Sequence, residues 1–215
     1  MTEIRSHVPA AKPRRSRLSA EDRRASIVDA ATAVFAESGY QRGKMSEVAA
    51  RLGVTEPVVF QNFGSKAALY AAVVEQVSQH MCAMVRENAQ ESGSASGLLE
   101  RILRPGHFDE LHERGAVGVI FADAMSLSSE LAVQEAAQRG IRQLAEALSE
   151  VLARGQAAGE VRSGVAPDAA AWWLLCLMAS HGFRSAAMPD RERLEAQLGS
   201  MTMGLLMSRS DEKDE

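Results

Sequence analysis

The sequence predicts an all-α chain, and three observations carry that prediction. Apolar residues return every three or four positions along most of its length. No run shows the strict two-residue alternation of a half-buried strand, and clusters of Gly, Pro and Ser interrupt the periodicity at intervals that suit helices. A small N-terminal unit followed by a larger helical one accommodates 215 residues, because domains commonly run to roughly 100–200 residues.

Residues 1–18 combine Pro9 and Pro13 with the basic run Lys12, Arg14, Arg15 and Arg17 and hold almost no large apolar groups. They cannot offset the entropy of ordering and read as a flexible basic arm, either a frayed terminus or a transient contact for a polyanion. Ser19 then caps a first helix, with Glu21 and Asp22 in its first turn where carboxylates meet the positive end of the helix dipole. Ile27, Ala30, Ala31, Val34 and Phe35 form its apolar face, and Gly39 ends it. Met45, Val48, Ala49 and Leu52 mark a short second helix closed by Gly53. Thr55 caps a third, Pro57 sits in its first turn where a missing N–H costs nothing, and Val59 and Phe63 give its buried side. After Gly64, Ser65 caps a much longer fourth helix carrying Leu69, Val73, Val77, Met81, Met84 and Val85 to about Gln90. Breakers at 92–96, 104–106, 115, 126–129, 159–167 and 189 divide the remainder into helices near 96–103, 107–114, 116–126, 129–158, 168–188 and 190–207, and residues 208–215 read as a disordered tail.

The net charge of −4 conceals an asymmetry. Residues 1–66 carry 11 Lys/Arg against 7 Asp/Glu, whereas residues 67–215 carry 13 against 21. The N-terminal part is thus suited to meeting an anion such as DNA, while the acidic part keeps the molecule soluble. No stretch approaches the ~18 consecutive apolar residues of a membrane span, and no apolar segment follows the basic N-terminus as in a signal peptide. A cytoplasmic, reducing location without a membrane partner is expected. Cys82 and Cys176 stand alone in apolar segments, without a cysteine or histidine at metal-ligand spacing, and read as buried thiols, with a redox switch as the alternative. Neither a Gly-rich phosphate loop nor a nucleophile motif appears, so no cofactor, metal or enzymatic activity is implied.

The segment 45–63 has the layout of a helix-turn-helix. Ala49 is small where two helix backbones approach, Gly53 permits the turn, and Val48, Leu52, Val54 and Val59 fill the space between the helices. A generic helical hairpin can share that pattern. The wider stretch of residues 20–75 is more specific: Ile27-Val28-Asp29-Ala30-Ala31, Phe35-Ala36-Glu37-Ser38-Gly39-Tyr40, Met45-Ser46-Glu47-Val48-Ala49, Gly53-Val54-Thr55 and Phe60-Gln61-Asn62-Phe63-Gly64-Ser65-Lys66-Ala67-Ala68-Leu69. In their order and spacing these segments resemble the tetracycline-repressor (TetR) family of transcriptional regulators.

That resemblance implies a helix-turn-helix DNA-binding domain at 19–66, joined to a ligand-binding and dimerisation domain at 67–207. The third helix would enter the major groove with Thr55, Glu56, Pro57, Val58, Phe60, Gln61 and Asn62 at positions from which the family touches DNA. Gln61 and Asn62 can pair with a base edge such as adenine, Pro57 and Val58 offer only apolar contact, and Glu56 would repel phosphate or accept from a cytosine amino group. Two departures matter. Phe60 stands where tyrosine is usual, which removes a phenolic bond to phosphate, and Gly43-Lys44 replaces the hydroxyl residues that usually cap the second helix. Arg42, Lys44 and Lys66 are the expected phosphate contacts.

In the larger domain the family dimerises through its last long helices. Here the stripe Leu144, Leu148, Val151, Leu152 and the nearly all-apolar segment 169–188 are the expected interface, with a core role as the alternative. Met81, Met84, Ile102, Phe108, Phe121, Met125, Trp172, Trp173, Cys176 and Met178 are candidates for an apolar effector cavity and would suit an ordinary core as well. His107, His112 and His181 could add polar contacts. The resulting expectation is a homodimeric repressor that leaves a palindromic double-stranded DNA operator when a small, largely apolar effector binds. The alternative is an architectural or co-regulator protein without a small-molecule ligand.

Overall fold

A computed structural model describes residues 19–107, 109–110, 117–127 and 129–208, which form helices and connecting turns with no strand among them. The basic arm at 1–18, Phe108, His112 and the tail beyond Ser208 lie outside the described residues. The helices used below are α1 (Ala20–Arg42), α2 (Met45–Leu52), α3 (Glu56–Phe63), α4 (Lys66–Ser92), α5 (Ala95–Leu103), α6 (Val117–Ser126), α7 (Leu131–Ala157), α8 (Pro167–Ala179), α9 (His181–Ala187) and α10 (Arg191–Leu206).

Local chemistry accounts for most of these ends. Ser19 forms a capping box with Asp22: its hydroxyl accepts from the Asp22 N–H at 3.0 Å while its own N–H donates back to the carboxylate at 3.3 Å. The stop expected at Gly39 is a kink instead. Gly39 takes φ 70° and ψ 171°, a conformation that only glycine adopts readily, and one further turn runs on to Arg42. The single helix expected at 168–188 is two helices, because Arg184 folds back at their junction. Its guanidinium donates to the Leu177 carbonyl and, at 2.6 Å, to the Ser180 hydroxyl, so it satisfies the end of α8 with a side chain. At the far end Glu160 accepts from the Ala95 and Ser96 N–H groups at 2.8 and 3.2 Å, capping α5 from a distant loop.

Two apolar clusters hold the molecule together. One unites α1, α2 and α3 with the first half of α4, with α6 and with the start of α7, around Phe35, Val48, Val59, Leu69, Tyr70, Ile120 and Val133. The other joins α5, the rest of α7, α8 and α10 around Leu99, Leu148, Leu152, Leu174 and Leu206. Met81 on α4 packs against both. Helices α4 and α7 make the most extensive helix pair. The stripe Leu144, Leu148, Val151, Leu152, expected at an interface, is buried inside the chain itself, since it faces α5 and α8 in the second cluster. Cys82 is buried as expected of a small hydrophobe, but Cys176 is exposed.

Candidate DNA interface

Helix α3 is held from beneath and open above. Val59 and Phe63 are buried against α1, α2 and α4, while Thr55, Glu56, Pro57, Phe60 and Gln61 are exposed and Val58 and Asn62 are half-buried. The turn before it depends on Gly53, whose φ of 65° and ψ of 30° reverse the chain so that its own N–H reaches the Ala49 and Ala50 carbonyls. Val54, expected between the helices, is instead 38% exposed on that turn: its N–H reaches the Ala49 carbonyl at 3.0 Å, which fixes the backbone and leaves the side chain outward. Thr55 is the N-cap residue by backbone position, without a side-chain cap bond, so its hydroxyl is not engaged in capping. Asn62 donates its amide to the Val58 carbonyl at 2.7 Å, and Gln61 is therefore the more available of the two amides for a base edge.

The expected phosphate contacts differ in placement. Arg42 is exposed at the end of α1, with its Nε donating to the Ser38 carbonyl at 3.1 Å, and Lys44 is exposed just before α2. Lys44 caps that helix by its backbone, its N–H donating to the Glu47 carboxylate at 3.4 Å, so the departure at 43–44 leaves a cap in place. Lys66 is turned inward: its ammonium lies 4.6 Å above the Tyr40 ring and donates to the Gln41 carbonyl at 3.2 Å, and burial lowers its pKa. Arg24, which sequence reasoning did not single out, lies 4.2 Å above the Phe63 ring and donates to the Asn62 carbonyl, bracing the C-terminal end of α3. Only an arginine one turn before the first apolar stripe hinted at it.

Ser65 completes the surface. Its hydroxyl accepts from the Ala68 N–H at 3.0 Å and fixes the start of α4 directly after α3. Ser65→Ala is expected to cost about 1 kcal/mol of stability, the usual worth of an N-cap, and urea unfolding checks it.

The effector candidates do not converge on one cavity. Ile102 and Met178 pack in or against the second cluster, Phe121 against the first and Met81 against both, while Met84 is half-buried on α4. Met125, Trp172, Trp173 and Cys176 are exposed, because α6 ends at Ser126 and because α8 buries its opposite face, Ala170, Ala171, Leu174 and Leu175. A shallow recess lies nearby, lined by Leu103, Arg104, Pro105, Leu177, Arg184, Glu195, Leu198 and Gly199, and none of the candidates lines it. His107 is half-buried beside Arg104, and burial lowers its pKa. His181 is buried with Nε2 3.4 Å from Asp109, itself held by Arg191 at 2.8 Å. Among the described residues no group of His, Cys, Asp and Glu could hold a metal ion, and no helix is long and apolar enough to cross a membrane.

An outward short helix, braced by two others beneath a larger helical body, has the layout of a helix-turn-helix unit that reads DNA. Residues 27–73 match the model of the bacterial regulatory proteins of the tetR family. The HTH-type transcriptional repressor Rv1474c of Mycobacterium tuberculosis is 27% identical over 82% of this chain and 89% of its own length. The HTH-type transcriptional activator FasR of Mycolicibacterium smegmatis is 40% identical, but over 37% of this chain, which spans only 36% of that relative. Among solved structures, one described as the molecular basis for control of antibiotic production by bacterial hormones is 25% identical with a TM-score of 0.65, covering 87% of this chain and 98% of that one. The relatives are transcription regulators rather than enzymes.

Proposed function

We propose that this regulator is a repressor that binds a palindromic operator as a dimer and is released by a small, largely apolar effector. The observation that carries the DNA half is the exposed edge of α3, Thr55 to Gln61, on a helix anchored by Val59 and Phe63. Residues 19–66 read the duplex and residues 67–207 pair the protomers and sense the effector. Repression is favoured over activation because the repressor relative aligns over most of both chains. The effector reading draws support from the hormone control named for the 25% identical structure and from Met81, a flexible apolar side chain packed against both clusters.

Dimerisation is supported by an apolar face left uncovered by the chain. Trp172, Trp173 and Cys176 on α8, Phe183 on α9 and Met201 and Leu205 on α10 are exposed, and Trp173 Nε1 donates to Thr202 Oγ1 at 3.4 Å, which sets α8 and α10 side by side. The interface thus draws on α8 and α10 rather than on the buried stripe of α7. A twofold pair presents two α3 helices about 34–36 Å apart, one turn of the duplex. An effector releases the operator only through its differential affinity for the two arrangements, so DNA and effector weaken each other equally.

The test is selection from a random duplex pool followed by footprinting of the enriched sequence. The expected product is an inverted repeat with half-sites about one helical turn apart. A pool that enriches nothing would refute the reading. On that duplex Gln61→Ala is expected to relax preference at a single base pair and to cost about 1–3 kcal/mol against the preferred base, read from competition with singly substituted duplexes.

A further inference from the structure

The DNA-reading helices meet the larger body where α1 kinks. Directly after Gly39, the Tyr40 N–H donates to Asp123 Oδ2 at 2.8 Å, a bond that spans 83 residues of sequence. A Cβ on Gly39 would lie 2.8 Å from that same oxygen, so glycine both permits the kink and lets the carboxylate in. The Tyr40 ring packs against Phe35 and against Tyr70, with centroids 6.3 and 4.9 Å apart, and carries the Lys66 ammonium. The buried Tyr70 hydroxyl in turn donates to the Ile120 carbonyl at 3.0 Å. Ile120 and Asp123 are one turn apart on α6. Two bonds from that helix therefore hold the last turn of α1, from which the chain enters α2, and the first turns of α4, which follow α3. Burial, with Glu130 beside the hydroxyl, pushes the Tyr40 phenol up to about 12, in keeping with a ring fixed in the joint rather than one turning into solvent.

We propose that Asp123 is a positioning residue for DNA binding: its carboxylate fastens the kinked end of α1 to α6 and so fixes where α3 is presented. The proposal rests on α3 being the reading helix and adds the means by which the larger domain holds it. A shift of α6 must carry Tyr40 with it, and through Gln41 the Lys66 ammonium at the start of α4. The bond is made by a charged acceptor to a backbone donor, a class of hydrogen bond that is strong when shielded from water. The tyrosine-rich packing around it leaves the end of α1 little freedom to reorient while the bond persists.

The experiment uses the full chain and a fluorescent duplex enriched by the wild-type protein, with binding read by anisotropy at 10 °C. Hydrogen exchange at the Tyr40 amide, helical content and oligomeric state are measured on the same samples. Asp123→Ala is expected to raise Kd about tenfold and to speed Tyr40 exchange by a similar factor, with helicity and oligomeric state unchanged. Asp123→Asn keeps an acceptor oxygen in place and is expected to recover most of the affinity. Gly39→Ala weakens binding comparably, and joining it to Asp123→Ala adds less than the product of the two effects, because both break one joint. Binding by Asp123→Ala within twofold of wild type, despite a freed Tyr40 amide, overturns the proposal. So does a variant that melts earlier but holds DNA unchanged at 10 °C. Should Asp123→Ala not fold, a folded Gly39→Ala protein with unaltered affinity overturns it equally. Failure of the wild-type protein to enrich any duplex would instead strike the DNA reading itself.

Discussion

Replacing Trp172 by aspartate is expected to yield a monomer that has lost at least a hundredfold in affinity for a two-half-site duplex, with its helical content intact. Trp172 is 46% exposed on the isolated chain, and Met201 on neighbouring α10 is 70% exposed; these are large apolar groups that water should not be left to cover. A twofold interface uses the same patch on both copies, so one substitution places two carboxylates in one apolar seam. Each would be desolvated without a partner, a penalty far above the typical cost of a surface change. The loss of DNA affinity follows from geometry rather than from any change at α3. Two linked reading helices bind the second half-site at high effective concentration, a gain of roughly 10²–10⁴ that a monomer forfeits. Sedimentation equilibrium and anisotropy on full and half-site duplexes check both parts. A variant that remains dimeric would place the interface elsewhere, and a monomer with unaltered half-site affinity would confirm that the reading unit is untouched.

The sequence revealed most where chemistry was local. Ser19, Ser65 and Pro57 announce helix starts that depend on one side chain or one missing N–H, and they stand at the starts of α1, α4 and α3, where Thr55 holds the N-cap position by its backbone alone. The alternation of exposure along α3 was likewise implied by Val59 and Phe63 returning at helical spacing. What the sequence could not show depended on distant partners. The kink at Gly39 continues into another turn because Asp123, 83 residues away, takes the Tyr40 N–H. The break between α8 and α9 needs the Arg184 guanidinium folded onto the end of α8, and nothing in an apolar run with one arginine indicates which carbonyl that arginine will find. Periodicity also says that a face is apolar without saying what covers it. The stripe of α7 and the face of α8 look alike as sequence, yet Leu148 is buried within the chain while Trp172 faces outward. Lys66 shows the same limit for charge, since a lysine at a helix start suits a phosphate contact until the Tyr40 ring and the Gln41 carbonyl are known to lie beside it.

The packing of α4 on α7 leads to the other large expected effect, a loss of about 1–3 kcal/mol in Gly140→Ala, even though alanine is the better helix former by roughly 1 kcal/mol. A Cβ at position 140 would fall 2.0 Å from Ser78 Oγ and 2.8 Å from Ser78 Cβ. The hydroxyl alone could rotate, but it already donates to the Val74 carbonyl at 2.7 Å, and the Cβ belongs to the helix framework. Relief therefore requires α4 and α7 to separate along the seam that includes Ala136 and Ala137, which leaves gaps around close-packed neighbours. For a chain of this size each kcal/mol lowers Tm by about 2–4 °C, so the change is readable by calorimetry. Ser78→Gly combined with Gly140→Ala moves the bulk from one helix to the other and keeps one glycine in the pair. That double variant is expected to regain most of the lost stability, whereas additivity of the two single losses would show that the contact does not govern the seam. The consequence reaches DNA because α4 begins at Lys66, immediately after α3. A wedge at Gly140 tilts the helix that fixes that corner of the reading unit, so Gly140→Ala should also weaken operator binding in the fully folded protein, and the Ser78→Gly partner should restore both properties together.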